Sequence, residues 1–218
     1  MMRVLLAGAT GLVGNLVSAR LAGRADVDLI RLVRVAAGPA DRAVDFEALA
    51  ARPGEVMAAI APDGADVAIS CLGTTLRKAG SREAFWRVDH DYVAAFAAGA
   101  RAVGARQAIL VSSAGAGGGG FYLKTKGATE RALTGLGFVR VDVVRPGLLL
   151  GRRSETRLGE RAGQILLPAL RPLLAGPLAP YRAIPAARVA AAIAGLTGRT
   201  EPGVHIHDNE ALEALGGG

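Results

Sequence analysis

Val4-Leu5-Leu6-Ala7-Gly8-Ala9-Thr10-Gly11-Leu12-Val13-Gly14 decides how the rest of the chain is read. A short apolar run passes into three glycines, Gly8, Gly11 and Gly14, and then into a helix-like stretch. A strand, tight turn and helix need this pattern when backbone amides at the helix N-terminus must approach a phosphate. The first glycine permits the turn, the second opens the backbone to the phosphate, and the third lets helix pack close on strand. Any tight strand–helix junction favours glycine, so the weight of the motif depends on the pattern of the remaining chain.

That pattern is an alternation of strands and helices. Val27–Arg34 reads as a second strand, Ala43–Phe46 as a short third and Asp66–Leu72 as a fourth stopped by Gly73. Ser81 opens a helix with Phe85, Val88, Tyr92, Val93 and Phe96 at helical spacing. Gln107–Ser113 is a fifth strand, followed by a glycine-rich loop and a helix from about Phe121 to Leu136. Phe138–Val144 is the sixth strand, closed by Arg145-Pro146-Gly147. Near-continuous apolar strands separated by helices predict an α/β fold, a doubly wound and mainly parallel sheet covered on both faces. Beyond Gly151 the alternation lapses. Prolines punctuate Leu167–Ile184, Pro185–Leu196 reads as a helix and Val204–His207 as a last strand. The 218 residues fit one domain, 1–218, with about 151–218 contributing a small C-terminal lobe.

Composition narrows the classes. No stretch of about 18 residues is uninterruptedly apolar, so no membrane span is expected, and no basic-then-apolar leader opens the chain. The single cysteine, Cys71, excludes an internal disulfide and points to a reducing, cytoplasmic setting. A net charge of +7 invites a nucleic-acid reading, but the arginines are scattered, with one denser patch from Arg152 to Arg161. Without a recognisable groove-reading motif, that charge predicts general attraction to anions and no specific nucleic-acid partner. His205 and His207 share a strand face, yet only His90 accompanies them in the chain, so no metal site is expected.

The second chemical signal is Phe121-Tyr122-Leu123-Lys124-Thr125-Lys126-Gly127. Tyr122 and Lys126 are four apart at a helix start and share one face. A nearby ammonium stabilises a tyrosinate, which equips a phenol to exchange a proton with a carbonyl or alcohol oxygen. The hydroxyl of Ser113, at the end of the preceding strand, could bond the same oxygen. An ordinary helix with an exposed tyrosine and lysine is the bland alternative. Against it, only three of the 26 basic residues are lysines, and Lys124 and Lys126 are two of them. Arginine would keep the charge without presenting a compact ammonium.

These stretches resemble a known superfamily. With Cys71-Leu72-Gly73-Thr74-Thr75, Phe85-Trp86-Arg87-Val88-Asp89-His90-Asp91-Tyr92, Val111-Ser112-Ser113 and Arg145-Pro146-Gly147-Leu148-Leu149-Leu150-Gly151, the chain resembles an atypical short-chain dehydrogenase/reductase. Within that superfamily it is similar to the Tat-interacting-protein group. The resemblance runs from residue 4 to about 190 and implies a Rossmann fold binding NADPH or NADH. It implies Ser113, Tyr122 and Lys126 as the catalytic set, with Tyr122 and Lys126 also meeting the cofactor and Lys126 holding the nicotinamide ribose. By the same resemblance, Gly8, Ala9, Thr10, Gly11, Leu12, Val13 and Gly14 form the pyrophosphate turn. Leu72, Gly73 and Thr74 line the adenosine and ribose side, Asp45 and Phe46 meet the adenine, and Pro146, Gly147 and Leu148 pack near the nicotinamide. The C-terminal lobe would lie on the substrate side.

Charge suggests which dinucleotide. NAD-preferring sites carry an acid after the second strand for the ribose 2′-hydroxyl. This chain has Arg34 there, Arg31 before it and no acid until Asp41. A guanidinium suits a 2′-phosphate, so NADP is expected ahead of NAD. Two departures stand beside the resemblance. Asn15 and Asn209 are the only asparagines, so the helix-borne asparagine of many short-chain dehydrogenases is missing. The loop Ala114–Gly120 is short and glycine-rich, which predicts loose alignment of Ser113 with Tyr122 until a ligand binds. Two functions therefore stay open. One is an NADP-dependent carbonyl reductase or dehydrogenase acting on a small-molecule carbonyl. The other is an NADPH-binding regulatory module that engages a protein partner with little or no turnover. Phe85 and Trp86 are read as helix anchors or a homodimer contact, and Asp89 and His90 as polar groups of a helix face, contact with the cofactor loop being the lesser alternative.

Overall fold

The computed structural model describes residues 1–151 and 181–217. In chain order its elements are β1 (Met2–Ala7), α1 (Leu12–Ala22), β2 (Val27–Val33), β3 (Asp41–Ala43), α2 (Phe46–Ala51), α3 (Pro53–Ile60) and β4 (Val67–Ser70). Then come α4 (Leu76–Ala79), α5 (Arg82–Trp86), a π-helical turn (Arg87–Asp91), α6 (Tyr92–Ala102), β5 (Gln107–Val111) and α7 (Phe121–Thr134). The chain continues through β6 (Arg140–Val144), β7 (Leu149–Leu150), β8 (Ile184–Pro185), α8 (Ala186–Leu196), β9 (Gly203–His207) and α9 (Asn209–Leu215).

Seven strands form one sheet in the order β3-β2-β1-β4-β5-β6-β9, and every pairing is parallel. Strand order reverses between β1 and β4, which opens a crevice at their carboxyl ends. Both faces are dry, which is why the strands read as unbroken apolar runs. On one face Val4 and Leu6 join Val13, Val17 and Leu21 of α1 and Val189, Ile193 and Leu196 of α8. On the other, Leu5 and Ala7 pack with Leu49, Met57 and Phe96. Farther along the same face lie Val93, Leu110, Leu133, Val141 and Val143.

The structure differs from the sequence reading at three places. The third strand is Asp41–Ala43 rather than Ala43–Phe46. Asp41 closes the preceding loop by accepting from the amides of Ala37 and Gly38, which sets this short segment beside β2. Asp45 then accepts from Glu47 N at 2.9 Å and caps α2, so Phe46 begins a helix. The helix opened by Ser81 is not continuous, because a π-helical turn separates α5 from α6. Finally, the chain after Tyr181 is largely built into the main layers. β9 extends the sheet beyond β6, α8 packs on α1, and α9 packs on α8. Among the described residues, only the two-stranded β7–β8 ladder stands apart as lobe structure. The arginine-dense patch and nearly all of the proline-punctuated stretch lie outside the described residues.

Candidate active site

The glycine turn sits at the mouth of the crevice. Gly8 adopts φ +81°, and a Cβ there would lie 2.5 Å from the carbonyl carbon and oxygen of Cys71. A Cβ on Gly14 would collide with the Gly8 carbonyl oxygen, so both glycines are dictated by backbone that cannot give way. Gly11 donates its amide to Gly8 O at 3.0 Å and caps α1 with no side-chain hydrogen bond. No acidic residue occupies the first turn of α1. The first amides of α1 and the positive end of its dipole are therefore turned to the crevice without an internal anion. Because Gly8 presses on Cys71 and Leu72, the 8–14 turn and the 72–74 turn are contiguous.

At the end of β2 the two arginines separate in role. Arg31 is engaged internally, its Nε 2.6 Å from Asp41 Oδ1 and its Nη1 3.3 Å from Ser18 Oγ. Arg34 is exposed and makes no hydrogen bond or ion pair among the described residues. Nearby, Phe46 packs on the Tyr92 ring at 5.5 Å, and the Tyr92 hydroxyl donates to Glu47, which also pairs with Arg87. The Asp45 carboxylate is occupied by its capping bond.

Tyr122 and Lys126 lie in the first turns of α7, as their spacing predicts. Lys126 Nζ is 5.9 Å from the centre of the Tyr122 ring, and the ring packs on buried Phe85 at 5.7 Å. Tyr122 is 38% exposed, and its hydroxyl has no hydrogen-bond partner among the described residues. Lys126 is 7% exposed, and its ammonium lies 2.7 Å from Asp89 Oδ1. Asp89 is completely buried in the π-helical turn, a distortion that recurs at functional sites. Its Oδ2 accepts from the backbone amide of Thr74 at 2.7 Å. Of the two readings of Asp89, the structure favours the lesser one, contact with the 72–74 turn, over an ordinary helix-face polar group. The signal was present: Phe85, Asp89, Val93 and Phe96 follow helical spacing, so an acid stands on an otherwise apolar, inward stripe.

Ser113 follows β5, and its hydroxyl is 3.3 Å from Ala114 O with no bond to Tyr122. Its loop is cross-tied despite its glycines: Ala116 N donates to Ser113 O, Gly118 N to Gly115 O, Gly117 N to Leu123 O and Ala114 N to Pro146 O. Neighbouring Ser112 donates to Glu130 Oε1 at 2.5 Å, and Glu130 holds Arg145 through both carboxylate oxygens. One carboxylate on α7 thereby joins the loop after β5 to the one after β6. Gly147 N donates to Asn209 Oδ1 at 2.8 Å, which fixes the Pro146-Gly147-Leu148 segment, where Leu148 is exposed.

The remaining candidates are structural in geometry. Cys71 keeps some exposed surface, but desolvation pushes its thiol up to about 12, so it is no nucleophile at neutral pH. Trp86 stacks on His90 at 4.4 Å. His205 and His207 face Arg140 and Asp142, and no cluster able to hold a metal occurs among the described residues.

A parallel sheet in this order, with a glycine turn at its reversal point, defines a Rossmann-type α/β protein. Protein HTATIP2 of Rattus norvegicus is 48% identical over 99 residues, which span 44% of this chain and 40% of the rat protein. FMP52 of Meyerozyma guilliermondii is 35% identical over 159 residues, covering 71% of this chain and 68% of that protein. The chain belongs to the FMP52 family, and HTATIP2 is a further relative over part of its length. No protein-family model matches it. Among solved structures, MoeE5 in complex with UDP-glucose and NAD shares the fold, with a TM-score of 0.68 at 15% identity. That match covers 99% of this chain and 82% of MoeE5. The relatives correct one expectation, because the FMP52 proteins are named mitochondrial, against the cytoplasmic setting expected from the cysteine count. A single cysteine only precludes an internal disulfide and does not select a compartment.

Proposed function

We propose that this chain binds NADP(H) at the β1–β4 crevice and acts as an oxidoreductase on a small-molecule carbonyl or alcohol. The observation that carries the reading is Lys126, which lies beside the Tyr122 ring and reaches the 72–74 turn, the turn contiguous with a helix N-terminus that has no internal anion. The cradle suits a pyrophosphate: Gly8 and Gly14 let the turn close on its own backbone, and Gly11 caps α1 with no side-chain hydrogen bond, leaving the first helix amides to an anion. Arg34, unpaired among the described residues, suits a 2′-phosphate and favours NADP over NAD. The NAD bound by MoeE5 supports a dinucleotide of this kind. Ala9, Thr10, Gly11, Leu12 and Val13 would complete the pyrophosphate turn, with Leu72, Gly73 and Thr74 along the ribose and Asp45 and Phe46 toward the adenine. Pro146, Gly147 and Leu148 would flank the nicotinamide. Residues 1–218 would act as one domain, with the segment after Gly151 contributing on the substrate side.

When bound, the nicotinamide supplies or takes the hydride. Tyr122 gives its phenolic proton to the carbonyl oxygen in reduction and takes it back in oxidation. The Lys126 ammonium balances the charge that the departing proton leaves, and Ser113 orients the carbonyl. Tyr122→Phe is expected to cut NADPH oxidation with a panel of aldehydes and ketones by at least about 100-fold, the usual scale for a positioned acid. NADPH affinity should change less than threefold. Undiminished turnover in Tyr122→Phe would remove the catalytic assignment.

A second reading, an NADPH-binding regulator that engages a protein partner without turnover, is favoured by one feature: Ser113 and Tyr122 do not hydrogen-bond each other. It predicts tight NADPH binding, no turnover with the panel and a partner affinity that changes with NADPH. Equal partner binding with and without NADPH would remove it.

A further inference from the structure

Asp89 holds two parts of the crevice with one carboxylate. Oδ2 takes the Thr74 amide at 2.7 Å, a directed hydrogen bond. Oδ1 lies 2.7 Å from Lys126 Nζ but outside hydrogen-bond direction, so that contact is mainly an attraction of charges. The backbone of Gly73 approaches both: a Cβ there would be 3.4 Å from Asp89 Oδ1 and 3.7 Å from Lys126 Nζ. Asp89 is itself anchored from α7, where the Thr129 hydroxyl donates to Asp89 O at 2.8 Å. A lysine side chain has a flexible four-carbon stem. The Lys126 ammonium is thus free to choose between the Tyr122 ring and the 72–74 turn, and the carboxylate draws it to the turn.

We propose that Asp89 is a positioning residue whose negative charge, rather than its bond to Thr74, fixes the Lys126 ammonium beside the 72–74 turn, in place to grip the nicotinamide-side ribose of a dinucleotide. The inference rests on the dinucleotide reading above. It separates the two halves of the ligand. Charge at residue 89 acts on the nicotinamide half through Lys126, while the adenosine half depends on Arg34, the glycine turn and the 72–74 backbone, which needs only the Thr74 bond.

The test is Asp89→Asn in the full chain. Asparagine keeps an oxygen for the Thr74 amide and removes the attraction on Lys126. The readouts are titrations with NADPH and, separately, with 2′,5′-ADP, which carries only the adenosine half. Expected is a loss of tenfold or more in NADPH affinity with 2′,5′-ADP affinity held within twofold. Equal losses for both ligands, or no loss for either, overturn the proposal. If Asp89→Asn does not fold, the variant pair Lys126→Met and Asp89→Asn/Lys126→Met removes the unpaired ammonium and keeps the question open to measurement. A residue acting through Lys126 leaves NADPH affinity equal within twofold across that pair, and a further tenfold loss overturns it. A native chain that binds neither ligand overturns the dinucleotide reading itself, whereas native binding unaffected by Asp89→Asn overturns only the role of Asp89.

Discussion

Among the described residues, two carboxylates, Asp89 and Asp142, are completely buried and paired with a cation, yet they are built differently. Asp142, on β6, accepts four hydrogen bonds: two from Arg140 at 2.7 Å, one from Gln107 at 2.8 Å and one from His207 at 2.8 Å. A carboxylate only accepts, so His207 must carry its proton on Nε2. Gln107 in turn bonds Leu196 O and Gly198 N, tying the end of α8 to the network. Each donor comes from a strand neighbouring Asp142 or from its own strand, and both oxygens are fully used. Asp89 has one backbone amide and one flexible ammonium, drawn from different elements, with an oxygen left outside hydrogen-bond direction. Burial and pairing alone therefore do not mark a functional carboxylate. A saturated, rigid donor set is a structural stitch, and an incompletely saturated one beside a crevice is where ligand chemistry can enter.

The sharpest way to break this contrast is Asp142→Ala. It leaves the buried Arg140 guanidinium with only the exposed Glu201 carboxylate, which costs about 3 kcal/mol. Chemical denaturation should show that loss, while NADPH affinity of the folded protein stays within threefold. A variant that unfolds like the native chain would end the structural reading of Asp142.

Acid should act next. Burial pushes the Asp142 carboxyl up, but the hydrogen bonds from His207, Arg140 and Gln107 outweigh it and hold the group at about 2. The folded value lies below the ordinary carboxylate value, so the unfolded chain takes the proton first as pH falls. The stabilisation is present in full above about pH 4 and is lost as pH drops through about 2. The stability gap between the native chain and Asp142→Ala should therefore be wide at pH 5 and narrow at pH 2.5. An unchanged gap would contradict the origin assigned to it.

The smallest effect belongs to His205→Ala. His205 Nε2 is 3.2 Å from Arg140 Nη1, and a guanidinium only donates, so this histidine serves as a neutral acceptor. Arg140 keeps Asp142 and the Glu201 carbonyl without it. The expected loss is about 1 kcal/mol or less in the same denaturation assay. A loss matching that of Asp142→Ala would place His205 at the centre of the network.

The glycine turn and the parallel sheet were legible because they are local demands. Gly8 needs a positive φ and Gly14 tolerates no Cβ, and strands dry on both faces must be apolar throughout. The Tyr122–Lys126 pairing was legible for the same reason, through helix spacing. The Asp45 cap was misread as strand because Val44 and Phe46 flank it, and apolar character alone does not separate a short strand from a helix start. Arg140 and Asp142 were hidden inside a run read as an ordinary buried strand, since their compensation comes from Gln107 and His207, distant in sequence.

The sequence by itself determined the fold and the glycine turn, because backbone sterics and hydrophobic periodicity act between residues a few positions apart. Only the tertiary structure decided which charges meet. It gave Arg31 to Asp41 and left Arg34 without a partner among the described residues, placed Asp89 under Lys126, and enclosed Asp142 among four donor bonds. Those pairings depend on desolvation and on contacts between distant segments, and a charge in the chain carries no mark of either until the sheet brings its partners together.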